Sequence, residues 1–139
     1  GDVIHGCLVR FSASAVTNYA FLWRNSQAQW EIWKWIAGTL TVLFTGAGTA
    51  ANGDIFYLED DSGNNLTGKI NGVTKVGPSA DTSITTNTRT GVFALDSVSN
   101  TFDDFSAEDL GGAGPSVAQE LPAYKQATDT GHMIGRRWL

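Results

Sequence analysis

Residues 29–36 read Gln29-Trp30-Glu31-Ile32-Trp33-Lys34-Trp35-Ile36. In a strand, successive side chains point to opposite faces. This stretch therefore sets Trp30, Ile32, Lys34 and Ile36 on one side and Glu31, Trp33 and Trp35 on the other. Large apolar rings on both sides cannot all be explained by one buried face. One face is expected to fill a core. The other is expected to be covered by a loop, a terminal arm or another subunit, or to serve as a stacking platform for a sugar.

Working outward, the same two-residue period recurs. Upstream, residues 19–23 place Tyr19, Phe21 and Trp23 opposite Ala20 and Leu22. Residues 3–12 place Val3, His5, Cys7, Val9 and Phe11 opposite Ile4, Leu8 and Arg10. Downstream, Ala37-Gly38 turns the chain into residues 39–45, with Leu40, Val42 and Phe44 on one face and Thr39, Thr41, Leu43 and Thr45 on the other. Residues 54–60 alternate again, with Phe56 and Leu58 opposing Ile55, Tyr57 and Glu59. Residues 65–70 and 73–76 flank Asn71-Gly72, a strong hairpin signal because both turn positions require a positive φ. Residues 77–88 read as a polar loop, and 91–95 and 102–107 as two more short strands. Turn signals every eight to twelve residues or so are the mark of a β-sandwich or barrel. No segment carries a helical apolar period; the nearest, 116–125, is interrupted by Pro122.

Composition agrees. The chain has 139 residues, 42% hydrophobic and only 17% charged, unlike a helical bundle rich in Glu, Lys and Arg. Three prolines and no low-complexity block argue against wholesale disorder. No apolar run approaches the roughly 18–20 residues of a membrane-spanning helix. The net charge is −5, and nine Lys and Arg are spread thinly, with only Arg136-Arg137 adjacent. Nucleic acid is not the expected partner. One cysteine, Cys7, excludes an intrachain disulfide and a cysteine zinc cage.

The order of these pieces resembles the laminin-G-like, concanavalin-A-like jelly-roll superfamily, in the variety found in phage structural proteins and secreted bacterial modules. The resemblance runs from about Cys7 to Asp109. It is carried by Tyr19-Ala20-Phe21-Leu22-Trp23-Arg24, by Trp30-Glu31-Ile32-Trp33-Lys34 leading to Gly38, and by residues 40–43. Gly53-Asp54, Asn71-Gly72, Asp81, Gly91-Val92-Phe93-Ala94-Leu95 and the closing Phe102-Asp103-Asp104-Phe105 with Ala107-Glu108 complete it. It implies an all-β, antiparallel two-sheet jelly-roll sandwich. Such domains carry further strands ahead of residues 3–12, so upstream residues or a neighbour are expected to complete a sheet that would otherwise have an exposed apolar edge.

Chemistry-bearing clusters are sparse. Glycoside hydrolases of that superfamily carry Glu-x-Asp-x-x-Glu on one strand, and a glycosidase needs two carboxylates roughly 5–9.5 Å apart. The nearest runs, Glu59-Asp60-Asp61 and Asp103-Asp104, do not place two glutamates on one face, so no catalytic residue is assigned and the chain is read as non-enzymatic. Asp60, Asp61, Ser62, Asn64 and Asn65 offer oxygens but miss the calcium-loop spacing and read as a solvated turn. His5 and His132 are solitary, and Cys7 sits on an apolar face as a small hydrophobe. No metal and no cofactor is expected. Gly46-Ala47-Gly48 lacks the helix and lysine of a phosphate loop.

Residues 1–110 read as the jelly-roll body. Residues 111–139 read as a glycine hinge followed by an irregular docking arm, with Met133, Ile134, Arg136, Arg137 and Trp138 as its contacts. Trp30, Trp33, Trp35, Tyr19 and Trp23 are the candidate carbohydrate or partner contacts. The expected function is a structural or adhesive module of a larger assembly, a phage virion or tail protein, with other copies or other virion subunits as partners. The alternative is a secreted carbohydrate-binding module whose partner is a glycan. Either setting places the chain on a virion or outside the cell.

Overall fold

Among the described residues the alternating segments form eight strands. A computed structural model of the chain describes residues 3–12, 16–86, 89–95 and 102–107. In chain order the strands are β1 (Ile4–Ser12), β2 (Thr17–Arg24), β3 (Gln29–Ile36), β4 (Thr39–Ala47), β5 (Phe56–Asp60), β6 (Asn65–Ile70), β7 (Val73–Ala80) and β8 (Arg89–Leu95). One turn of 3-10 helix, Asn25–Gln27, links β2 to β3. Five strands form one sheet in the order β4-β3-β2-β1-β8, and three form the other in the order β5-β6-β7. Every pairing is antiparallel. The result is an all-β, two-sheet sandwich. Each sheet is a run of hairpins, and β8 returns from the far sheet to lie beside β1, a Greek-key closure.

Local chemistry explains the hairpins. Asn71 and Gly72 have φ of 52° and 80°, the pair of left-handed positions that a two-residue turn matched to strand twist demands. Ala37 and Gly38 repeat the pattern between β3 and β4, at 49° and 83°.

The core between the sheets holds Tyr19, Phe21, Trp30 and Ile32 from the larger sheet and Leu66, Ile70 and Val76 from the smaller, with Ile84 from the loop after β7. The Phe21 ring lies 5.7 Å from Trp30 and 5.9 Å from Phe56, centroid to centroid. Burying each such side chain contributes about 1.5–3 kcal/mol. Glycine at position 68 is what lets the sheets approach here, because a Cβ would fall 2.3 Å from the Phe21 ring.

Several details depart from simple alternation. Arg10, expected beside Leu8 on the outer face, has φ of 53° within a β-bulge that shifts the register on both sides of β1. The bulge turns its side chain toward the smaller sheet. In β4 the register slips between Ile32 and Trp33. Leu43 and Phe44 then both pack on the inter-sheet core, while Leu40 and Val42 stay opposite Trp35 and Trp33. β7 continues to Ala80, beyond the expected residue 76, because Asn65 and Leu66 pair with Ala80 and Ser79 past a further register shift. Residues 102–107 carry no strand ladder. β1 is already flanked by β2 and β8 and offers no free edge, and Phe102 instead packs its ring 6.5 Å from His5. The expected hinge and docking arm, including Met133, Ile134, Arg136, Arg137 and Trp138, lie outside the described residues.

Candidate contact face on the five-stranded sheet

The five candidate aromatic residues separate into three places. Tyr19 and Trp30, each about 1% exposed, belong to the core between the sheets. Trp23 sits on that same side at one end of the sandwich, where its indole N–H donates to the Gly48 carbonyl at 3.2 Å and its ring lies 5.9 Å from His5. The structure therefore does not bring these three into a surface platform. It does bring together Trp33 and Trp35 on the outer face of the larger sheet.

That face is built by cross-strand register. Ala20 is opposite both Leu8 and Trp33, Trp33 opposite Val42, and Asn18 opposite Trp35, which in turn faces Leu40. On the other side Gly6 lies between Leu22 and Phe93. Ile4, Ala20, Leu22 and Trp33 are buried there as a second cluster, with Leu8, Trp35 and Phe93 packed against it. The Trp33 and Trp35 rings meet at 5.1 Å, edge to face. Trp35 and Phe93 meet at 6.3 Å, also edge to face, an arrangement that suits the ring quadrupoles. Trp35 and Phe93 come from β3 and β8, with β2 and β1 between them, a span of about 14 Å in a flat sheet. They can lean together because the positions beneath, Gly6 and Ala20, have almost no side chain. Gly6 itself is obligatory, since a Cβ there would fall 2.0 Å from the Phe21 carbonyl oxygen.

Polar groups frame the rings. The Glu31 side chain is about 1% exposed, and its carboxylate accepts from the Trp33 indole N–H and the Gln29 amide. Arg24 Nη1 stands 3.9 Å from Glu31 Oε1. Asn18, 3% exposed, finds no acceptor for its Nδ2 among the described residues. Toward the β4 edge the face opens, with Leu40 and Val42 each 43% exposed. Among the described residues no third layer of secondary structure lies over it.

At one end of the sandwich a polar network ties the sheets together. Lys34 Nζ lies 2.7 Å from Asp81 Oδ2 and 2.8 Å from Ser83 Oγ. The Tyr19 hydroxyl donates to the Asp81 carboxylate and accepts from the Ile84 N–H at 3.1 Å. Arg10 donates to the Asp60 carboxylate, to the Ile84 carbonyl at 2.8 Å and to Asn64 Oδ1 at 3.2 Å. Burial pushes the Asp81 carboxyl up, but hydrogen bonds from Lys34, Tyr19 and Ser83 outweigh it and hold the group well below the usual carboxylate range. Burial, with the bond to Asp81, pushes the Tyr19 hydroxyl above its ordinary value. Burial also pushes the Cys7 thiol up to about 12.

Of the carboxylates weighed for catalysis or metal binding, Glu59, Asp60 and Asp61 have structural partners. Glu59 pairs with Lys69 at 2.6 Å, and Asp60 pairs with Arg10. Asp61 accepts from the backbone N–H groups of Gly63 and Asn65 at 2.8 and 2.9 Å, closing the turn. These bonds from Asn65 and Gly63 hold the Asp61 carboxyl below its ordinary value. The sequence reading missed Asn18, Leu40, Val42 and Phe93 as members of the face. Period-two alternation placed Leu40 and Val42 on one face of their strand, but gave no face to Asn18 or Phe93 and no register to set any of the four beside Trp33 and Trp35. Comparison with protein-family models, with curated proteins and with solved structures finds no match.

Proposed function

We propose that this chain is a non-enzymatic structural or adhesive β-sandwich module of a larger assembly, in the setting of a phage virion or tail. The outer face of the five-stranded sheet and residues 111–139 are its contact elements. One observation carries the reading. The apolar face of Trp33, Trp35 and Phe93 runs on to half-exposed Leu40 and Val42, and contiguous apolar surface of this kind marks an interaction site. The engagement of Glu59, Asp60 and Asp61 in structural bonds supports a role without catalysis. The virion setting, and with it a location on a virion or outside the cell, rests on the jelly-roll resemblance.

A second reading, a carbohydrate-binding module, is favoured by one observation: an aromatic face bordered by Asn18, whose Nδ2 finds no acceptor among the described residues. Native mass spectrometry together with a glycan array separates the two. The assembly reading expects a mass above the 14.8 kDa of one chain and no retained glycan. A monomer that binds a glycan overturns it. Deletion of residues 130–139 is expected to leave the sandwich folded and to impair assembly.

A further inference from the structure

Asparagine is a thermolabile residue, and most so before glycine, whose backbone nitrogen has no neighbouring Cβ to block a close approach. The chain holds two such pairs, Asn52-Gly53 and Asn71-Gly72, and both are exposed. Hydrogen bonding separates them. The Asn71 carboxamide is held at both ends: Oδ1 accepts the Ile55 N–H at 2.9 Å, and Nδ2 donates to Asp54 Oδ1 at 2.8 Å. The Asn52 carboxamide has no hydrogen-bond partner among the described residues, and neither has the Gly53 N–H. Asn52 sits in the turn Ala51-Asn52-Gly53-Asp54, closed by the Asp54 N–H on the Ala51 carbonyl at 3.2 Å, with Gly53 at φ 86°. That is the pattern of a type II turn.

We propose that Asn52 is a site of spontaneous modification, selected by the fold over Asn71, at which deamidation to isoaspartate loosens the junction between two loops. The Gly53 backbone nitrogen loses its proton to solvent and attacks the Asn52 side-chain carbonyl carbon. The carbon–nitrogen bond to the side-chain amide breaks, and ammonia leaves with the proton regained. The cyclic succinimide that results is opened by water at either carbonyl, giving aspartate or isoaspartate. No enzyme and no redox partner is needed. The isoaspartate product routes the main chain through the side-chain carbon and so lengthens it by a methylene. Asp54 is where that matters. Its Oδ2 accepts the Ala51 N–H at 2.8 Å, and its Oδ1 holds Asn71. A longer main chain between Ala51 and Asp54 breaks the fit of the turn, and the bonds from Asp54 to Asn71 and from Asn71 to Ile55 loosen with it. The proposal is independent of the reading of the chain as an assembly module.

Ageing the full chain at mildly alkaline pH, followed by trypsin digestion and mass spectrometry, tests this. Cleavage after Lys34, Lys69 and Lys75 puts Asn52 in the peptide 35–69 and Asn71 in the peptide 70–75. Fragmentation separates Asn52 from Asn64 and Asn65. In the folded chain Asn52 is expected to convert about tenfold or more faster than Asn71, whose carboxamide must first break two hydrogen bonds. In the urea-unfolded chain the two rates are expected to converge. A folded chain in which Asn52 converts no faster than Asn71 overturns the proposal. So does an equal gap in the unfolded chain, since sequence alone would then set it. The isoaspartate form, separated by chromatography, is expected to show faster amide hydrogen exchange at Ile55 than the unaged chain. Asn52→Asp, which adds the charge without the methylene, is expected to leave that exchange unchanged. Unchanged exchange at Ile55 in the isoaspartate form, or an equal rise in Asn52→Asp, overturns the loosening.

Discussion

The Arg10 guanidinium of β1 donates to the Asp60 carboxylate of β5, joining the two sheets at one end of the sandwich. The same guanidinium holds the Ile84 carbonyl and the Asn64 amide oxygen. Asp60 is mostly buried, so removing its partner strands a carboxylate away from water. Arg10→Ala is expected to cost about 2–4 kcal/mol in urea unfolding. The double change Arg10→Ala with Asp60→Asn should cost less than Arg10→Ala alone.

Asp81 gives the fold an acid limit. Its folded pKa lies below the unfolded value of about 3.9. The carboxylate's contribution to stability is therefore fully present above that unfolded value and is lost as pH falls toward the folded one. Thermal melts between pH 6 and pH 2, to take a rough window on either side of that value, should show the wild type losing stability more steeply than Asp81→Asn. Tyr19, raised in the fold, acts in the opposite direction. Its contribution is present below the unfolded value of about 10 and fades above it, so Tyr19→Phe should flatten the alkaline limb.

Close approach at Gly6 predicts a position-specific penalty. Gly6→Ala drives a methyl into the Phe21 carbonyl, a backbone atom that cannot swing away. A loss of about 3 kcal/mol is expected. At Gly91 the added Cβ meets only Leu8 Cδ1 at 3.5 Å, an ordinary contact, and Gly91→Ala should stay within about 1 kcal/mol of the wild type. Chemical denaturation of the two variants side by side checks the contrast.

Trp33 and Trp35 share a face and differ in role. Trp33 is 4% exposed and inside the second cluster. Trp33→Ala should destabilise the fold by about 3–5 kcal/mol. Trp35 is half-buried, and Trp35→Ala should cost clearly less stability while weakening association. Equal stability losses with unchanged association would contradict this division.

Alternation makes the strands legible in the sequence. β3 was readable to the residue, and Asn71-Gly72 located its hairpin, because period two and turn stereochemistry are local properties. What stayed hidden depends on departures from regularity. Arg10 adopts a left-handed conformation that no local signal in a non-glycine residue announces, so its inward turn could not be read. The slip beside Leu43 moved Phe44 into the core against the simple pattern. The contact face was half legible: Trp33 and Trp35 were assigned to one side together. Tyr19 and Trp30 were grouped with them by residue type alone, and burial in the inter-sheet core separates them. Phe93 joined the face through the pairing of β8 with β1, a contact between strands far apart in sequence.

Hydroxyl-radical footprinting of the full chain, compared between dilute and concentrated solution, tests the central claim most directly. If the outer face of the five-stranded sheet is a contact surface, Trp35, Leu40 and Val42 become protected as the chain associates, while Tyr57 and Val73, exposed on the smaller sheet, keep their reactivity. Unchanged reactivity of Trp35, Leu40 and Val42 at concentrations where the chain is associated would contradict the account.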